Sequence, residues 1–318
     1  MKFKKIAILA LSIALLIAMT SCSDLNKIDE NKPIVVCTGF AQYDWVLNIL
    51  GDEASDWNVI RINDKGADMH SYQPSAEDMI VISKADLIIY TGGISEEWIV
   101  DAMKSQDFQG KSYALLDNCE PICIEEENGH EGHDHEASDE HEHHGHSHDE
   151  YDEHAWLSLE NAKEFCQDIS KLLGEIYPSS TYEKNCQNYV EQIKELNSQF
   201  GFATSNNIIF ADRFPFRYLA EDYDLEWYAA FPGCSAETEA SFDTLKELSN
   251  IVKEDKPTGV FVTETGDDSL AKTVIANSGE QNIEIIKVNS MQSIPKGETR
   301  GYLEIMEENL SALEKVLK

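Results

Sequence analysis

Pro33-Ile34-Val35-Val36-Cys37-Thr38-Gly39, followed by a segment of helical spacing from Ala41 to Leu50, is the stretch that decides the fold. A short apolar run closed by glycine and leading into an amphipathic segment reads as a buried strand feeding a helix. The same pairing recurs downstream. Trp57 to Ile62 is the next strand, and Pro74-Ser75 opens a helix that Ser75 caps, with Asp78 three residues on. Ala85 to Tyr90 is a strand stopped by Gly92-Gly93, Ser95 to Met103 a helix, and Ser112 to Leu116 a strand. Strands that alternate with helices predict a parallel sheet covered on both faces.

The second half repeats this grammar. Asn207 to Phe210, Glu226 to Ala230, Gly259 to Thr263 and Glu284 to Val288 are strand candidates. Helices are expected at Phe216–Glu221, Ser241–Lys253, Ser269–Asn277 and Arg300–Leu317. Between the halves, Tyr182, Cys186, Tyr189, Ile193, Leu196 and Phe200 step by three and four, one stripe of a long helix. The fold class is therefore α/β: two lobes, each a parallel sheet flanked by helices, joined by one long linker helix. The expected spans are 33–180 for the N-terminal lobe, 181–202 for the linker and 203–318 for the C-terminal lobe.

Ahead of the first lobe, Met1 to Lys5 carry three lysines and Ile6 to Met19 are almost wholly apolar. These are the charged and apolar regions of a secretory signal, and the run falls short of the ~20 residues needed to span a bilayer. Met19-Thr20-Ser21-Cys22 resembles a bacterial lipobox, in which residues 1–21 are removed and Cys22 carries lipid. Fatty chains on one residue suffice to hold a soluble domain at a membrane surface. Residues 22–32 are polar and read as a tether. This places the protein outside the cytoplasm, on the outer face of the cell membrane.

A net charge of −34 argues against nucleic-acid binding, because phosphates would be repelled. Six cysteines follow Cys22: Cys37, Cys119, Cys123, Cys166, Cys186 and Cys234. None forms Cys-x-x-Cys, so neither a zinc ribbon nor a thioredoxin-type site is indicated.

The histidines are concentrated. All ten lie between residues 70 and 154, and eight of them fall within 125–153: His130, His133, His135, His141, His143, His144, His146 and His148. That tract also holds thirteen Asp and Glu residues and only Ala137 and Tyr151 as apolar side chains. Such a composition predicts a mobile surface loop. Neutral imidazole suits zinc, and a flexible His-rich tract offers many weak, exchangeable sites, so the loop is expected to collect metal. His70, in Ala67 to Ser75, and His154, in Asp152 to Ser158, sit instead at the ends of ordered elements, where open α/β sheets place ligands.

Asp68-Met69-His70-Ser71-Tyr72-Gln73-Pro74-Ser75 and Asp152-Glu153-His154-Ala155-Trp156-Leu157-Ser158 resemble the first two ligand motifs of the zinc and manganese substrate-binding lipoproteins of ABC importers. Asp212 to Leu219, Gly233 to Glu237 and Gly301 to Leu310 resemble a clostridial-type branch of the zinc group. The resemblance implies two lobes joined by a rigid helix, metal held in the cleft, an ABC permease as partner, and a monomer without enzymatic activity. It also implies Zn2+ as cargo, with Mn2+ less favoured because manganese prefers oxygen ligands.

The pattern departs from that family in the second lobe. Most zinc members carry a third histidine there; here Asp212 and Arg213 occupy the neighbourhood. Manganese members place an aspartate near the last strand, where this chain has Val288-Asn289-Ser290-Met291. Asp212, leaving the strand expected to end at Phe210, is the favoured third ligand; Glu237 and Glu264 are reserves, and Cys234 a weaker one. Two other readings are a zinc buffer without a permease and a zinc hydrolase. The hydrolase lacks His-Glu-x-x-His and any nucleophile motif outside the acidic tract.

Overall fold

The structure, a computed structural model, describes residues 28–123, 151–201, 207–231 and 240–317. Cys22, the eight histidines of the acidic tract, Cys234 and Glu237 therefore lie outside the described residues.

In lobe 1, β1 (Ile34–Cys37) and β3 (Leu87–Tyr90) are buried at every residue, as interior strands of a sheet covered on both faces must be. β2 (Asn58–Arg61) is half-buried throughout, and β4 (Lys111–Ala114) runs from exposed to buried. The sheet order is β2-β1-β3-β4, every pair parallel. Helices α1 (Phe40–Leu50), α2 (Ala76–Lys84) and α3 (Glu97–Ser105) make the crossovers. Ser75 and Asp78 form the reciprocal cap at the start of α2 that their spacing predicts.

Lobe 2 is wound the same way. β5 (Ile208–Arg213), β6 (Trp227–Phe231), β7 (Gly259–Thr263) and β8 (Glu284–Val288) give the order β6-β5-β7-β8, again all parallel. Helices α6 (Arg217–Asp222), α7 (Phe242–Asp255), α8 (Asp268–Ser278) and α9 (Tyr302–Leu317) accompany it. In each sheet the chain steps to one side of its first strand and then returns to the other. The C-terminal ends of β1 and β5 are thus the switch points at which such sheets open a crevice.

Two helices lie between the sheets in sequence, α4 (Leu159–Ile176) and α5 (Ser180–Gln199). The 20 residues of α5 span about 30 Å. The sequence reading gives no expectation of α4, yet its signal is present: Leu159, Ala162, Phe165, Cys166, Ile169 and Leu173 are buried on one stripe. Ser158 caps it, accepting a hydrogen bond from the Asn161 amide at 3.0 Å.

Packing unites the lobes. One apolar cluster runs from α1 through α4 and α5 to the inner face of the second sheet and α9. Trp45 sits at its centre, 5.8 Å from the Phe165 ring and edge-on to Tyr302 at 5.2 Å. Separate clusters cover the outer face of each sheet. Among the described residues, Cys37, Cys119, Cys123, Cys166 and Cys186 are unpaired, and no helix is long and apolar enough to cross a membrane.

The acidic tract does not run unstructured to Glu153. Tyr151 bridges Cys123, the Asp152 amide donates to the Ile122 carbonyl at 2.8 Å, and Asp152 is fully buried. These carboxylates are drawn inward by partners that composition alone does not reveal.

Candidate metal centre

His70 occupies a single turn, Met69–Ser71, between β2 and α2. Asp68 caps that turn: its Oδ1 accepts the His70 amide at 3.0 Å. The imidazole Nδ1 lies 2.7 Å from the Ser95 hydroxyl and 3.3 Å from Glu153 Oε2. Glu153 is itself seated on the turn after β3, where the Ser95 amide donates to its Oε1 at 2.8 Å. Only glycine fits at residue 93, which has φ +80°; a Cβ there would lie 2.3 Å from Glu153 Oε1. Burial opposes ionisation of Glu153, but hydrogen bonds from His70 and Ser95 outweigh it and hold the carboxyl below its ordinary range.

His154 begins the turn before α4 and is almost wholly buried. Asp152 Oδ1 accepts both the His154 amide, at 2.9 Å, and its Nδ1, at 2.8 Å. A carboxylate on Nδ1 selects the tautomer with hydrogen on Nδ1 and leaves Nε2 as a lone pair. At His70 the Ser95 hydroxyl and the Glu153 carboxylate lie beside Nδ1, and Nε2 faces His154.

The two Nε2 atoms are 3.2 Å apart. Two nitrogens, each 2.0–2.1 Å from one tetrahedral zinc, lie about 3.3 Å apart. Two lone pairs at this distance repel unless a proton or a cation stands between them, and the Nδ1 partners place the imidazole protons at the far side of each ring. The pair is therefore pre-arranged for a shared electrophile, at the crevice between the lobes. From lobe 2, the Gln292 side-chain nitrogen lies 2.5 Å from His154 Nε2.

The profile of the family described as zinc-uptake complex component A, periplasmic, matches residues 35–316. This chain belongs to that family. It is 29% identical to the zinc-binding lipoprotein AdcA of Streptococcus pneumoniae, over 98% of this chain and 60% of AdcA. It is 30% identical to the manganese ABC transporter substrate-binding lipoprotein PsaA of Streptococcus pneumoniae, over 98% of both. The crystal structure of Zn(II)-bound AdcA superposes with a TM-score of 0.69 at 25% identity, covering 90% of this chain and 58% of AdcA. The chain thus spans about three fifths of AdcA's length.

Within this family member, the two second-lobe candidates among the described residues, Asp212 and Glu264, are engaged within lobe 2. β5 runs on to Arg213 instead of ending at Phe210, and its register with β6 shifts between Phe210 and Arg213. Asp212 falls in that irregularity, where bulged strands re-aim side chains. Its Oδ2 accepts the Thr263 amide at 3.0 Å and the Thr263 hydroxyl at 2.5 Å, and its Oδ1 accepts the Arg213 amide at 2.9 Å. The carboxylate ties β5 to β7 and does not join the histidines.

Glu264 is likewise spoken for. Its two oxygens accept the Ser290 amide at 2.8 Å and the Ser290 hydroxyl at 2.9 Å. It thereby fixes the turn after β8 that carries Gln292. Met291 in that turn has φ +61°, a conformation that Asn289 supports by accepting the Met291 amide at 2.8 Å. Among the described residues no third His, Cys, Asp or Glu stands with His70 and His154. Gln292 is the second-lobe residue at the two histidines that motif reasoning missed. Its place just beyond the last strand, at a sheet's C-terminal edge, is the signal that would have found it.

Lobe 1 closes the crevice floor with a buried acid. Glu96 Oε2 accepts the Thr91 amide at 2.6 Å and the Gly92 amide at 3.1 Å. Burial pushes its carboxyl up to about 7. A cavity of about 20 Å³ beside it, lined by Thr38, Asn63, Trp156 and Gln292, is large enough for one water.

Proposed function

We propose that this protein captures zinc outside the cytoplasm and delivers it to the permease of an ABC importer. His70 and His154 supply the metal-binding nitrogens from lobe 1, and the Gln292 amide faces them from lobe 2. The observation that carries this reading is the 3.2 Å separation of two Nε2 atoms whose Nδ1 partners both lie on acceptors. Two imidazole nitrogens favour zinc over manganese, which takes oxygen-rich sets. The family's relatives named for zinc and for manganese support metal as the cargo. Those named as lipoproteins support an anchor at Cys22.

The chain acts by binding and release. Asp152 and Glu153 hold the imidazoles in the ligating tautomer, and the switch-point crevice lets two lobes close on one ion. Loss of zinc as lobes part serves a transporter, whereas an enzyme would also need a general base beside an open zinc position. The His-rich tract feeds this site with weakly held metal, and the protein works as a monomer tethered beside its permease.

One experiment tests the whole reading. The full chain with its signal, expressed with and without Cys22→Ala and dialysed against a weak chelator, is analysed for metal and for membrane association. One zinc per chain is expected in both forms, with palmitate labelling and membrane association only in the parent. Retention of one zinc by a His70→Ala/His154→Ala chain would sink the site assignment.

A further inference from the structure

Lobe 2 contributes no imidazole among its described residues, yet it reaches two carboxylates that seat the histidines of lobe 1, Asp152 on the His154 ring and Asp68 on the His70 amide. Arg213 Nη1 lies 3.7 Å from Asp68 Oδ2, the residue whose other oxygen caps the His70 turn. Arg217 Nε lies 3.7 Å from Asp152 Oδ2, the residue whose other oxygen holds the His154 ring and amide. The two arginines stand four residues apart, one ending β5 and the other beginning α6.

What separates them is an anchor. Phe214 and Phe216 are buried in the main core, and Pro215 between them limits the backbone. Trp227 stacks on Phe214 with centroids 4.2 Å apart, and the Arg217 guanidinium lies 4.7 Å over the Trp227 ring. The stem of His154 is held by the same helix. The Tyr218 hydroxyl donates to the Asp152 carbonyl at 3.0 Å, and Asp222 Oδ1 accepts the Ser158 hydroxyl at 3.0 Å.

We propose that Arg213 and Arg217 are positioning residues that make the two imidazoles competent only while the lobes are together. The proposal rests on His70 and His154 being the metal ligands. Asp152 is fully buried, and its Oδ2 has no hydrogen-bond partner, so the Arg217 cation is what compensates that oxygen. A buried carboxylate stripped of its cation is not tolerated in place. When lobe 2 withdraws, both carboxylates lose their arginines together, so the His154 ring and the turn that carries His70 are released at once. Release is then a single step instead of the loss of one ligand after another. The Arg213 pair is the weaker half, because both its side chains are about a third exposed.

The test uses the full mature chain with zinc as the only added metal, and a chelating dye strong enough to report the tight site alone. Arg217→Gln is expected to weaken that site by about 10- to 100-fold, the usual effect of losing a partner behind a ligating histidine, mainly through faster zinc dissociation. Arg217→Lys, which keeps the charge, recovers most of the loss. In an Asp152→Asn background Arg217→Gln has no further effect, an outcome that a general packing role would not give. If Arg217→Gln does not fold, the same cycle on the partly exposed pair, Arg213→Gln with Asp68→Asn, carries the test. Affinity within about twofold of the parent, or equal losses in both backgrounds, overturns the clamp. A His154→Ala control separates the two claims: tight zinc retained there overturns the metal site itself, whereas its loss beside an unaffected Arg217→Gln chain overturns only the clamp.

Discussion

The two lobes share one winding, order for order, and put it to different uses. In each, a glutamate follows the third strand of the winding: Glu96, buried, six residues after β3, and Glu264, half-buried, one residue after β7. In lobe 1 that acid braces the Gly92-Gly93 turn, which presents Ser95 and Glu153 to His70. In lobe 2 it braces the turn that presents Gln292. The same scaffold yields two imidazoles with their orienting carboxylates on one side and a neutral amide with two arginines on the other. On the proposed reading, affinity belongs to lobe 1 and control to lobe 2.

The sharpest way to break that division is through the histidines themselves. His154→Ala is expected to weaken the tight zinc site at least a thousandfold, about 4 kcal/mol. It also strands the fully buried Asp152 carboxylate, so the metal-free protein should melt on the order of 5 °C lower. His70→Ala should give a comparable loss of zinc but a near-parent melting temperature, because its ring is 15% exposed and Glu153 keeps the Ser95 amide. Competition titrations beside thermal melts decide it. Equal melting losses would mean that the two turns are equally structural.

The alternation of strands and helices was legible because parallel sheets demand contiguous apolar runs, and Val35 to Cys37 or Val260 to Val262 have no other reading. The two histidines proposed as ligands were legible because each begins or follows an element that sequence can mark. The lobe-2 wall was not. Asp212 looked like a residue beyond a strand, but a shift in pairing between Phe210 and Arg213 kept it inside the sheet and turned it to Thr263. Such irregularities have no local signature. Gln292 escaped notice because an amide is common on surfaces, and only the Glu264–Ser290 contact, 26 residues apart in sequence, aims it at His154.

A second prediction concerns the acid of lobe 1. Glu96 has its carboxyl raised by burial to about 7 from an ordinary 4.5. The folded state therefore binds a proton that the unfolded chain has released between those values. This stabilisation is complete below about 4.5 and is lost as pH rises through 7, up to about 3 kcal/mol. Glu96→Gln keeps an acceptor for the Thr91 amide without the charge. Metal-free melts from pH 4.5 to 8 should show the variant gaining on the parent as pH rises. Parallel curves would remove Glu96 as the source.

Gln292 offers a smaller effect and the most direct probe of lobe 2. Gln292→Ala should cost about tenfold in zinc affinity, ~1.4 kcal/mol, since a neutral amide contributes less than an imidazole. Gln292→Glu adds a carboxylate at the same reach and should narrow the preference for zinc over manganese, because manganese favours oxygen ligands. Paired titrations with both metals would show it. An unchanged ratio would mean that Gln292 contacts His154 without meeting the metal.

The smallest effect is expected from the most conspicuous stretch of the sequence. Removing residues 128–149 takes away all eight clustered histidines and seven of the chain's acids. The ordered wall of the site nevertheless resumes at Tyr151. Cys123 pairs with Tyr151, and the Asp152 amide reaches the Ile122 carbonyl, so the two ends already stand side by side and a short connection closes them. Asp152, Glu153 and His154 stay where they are, held by Arg217, Ser95 and Gln292. Calorimetric titration with zinc should lose several weak sites and retain the tight one within about twofold, less than 0.5 kcal/mol. The rate of loading at low zinc should fall, because a tract of weak, exchangeable imidazoles raises the local metal supply without sharing in the final ligand set. A tight site lost with the tract would put at least one of its ligands among those eight histidines and move the wall of the crevice out of lobe 1's ordered core.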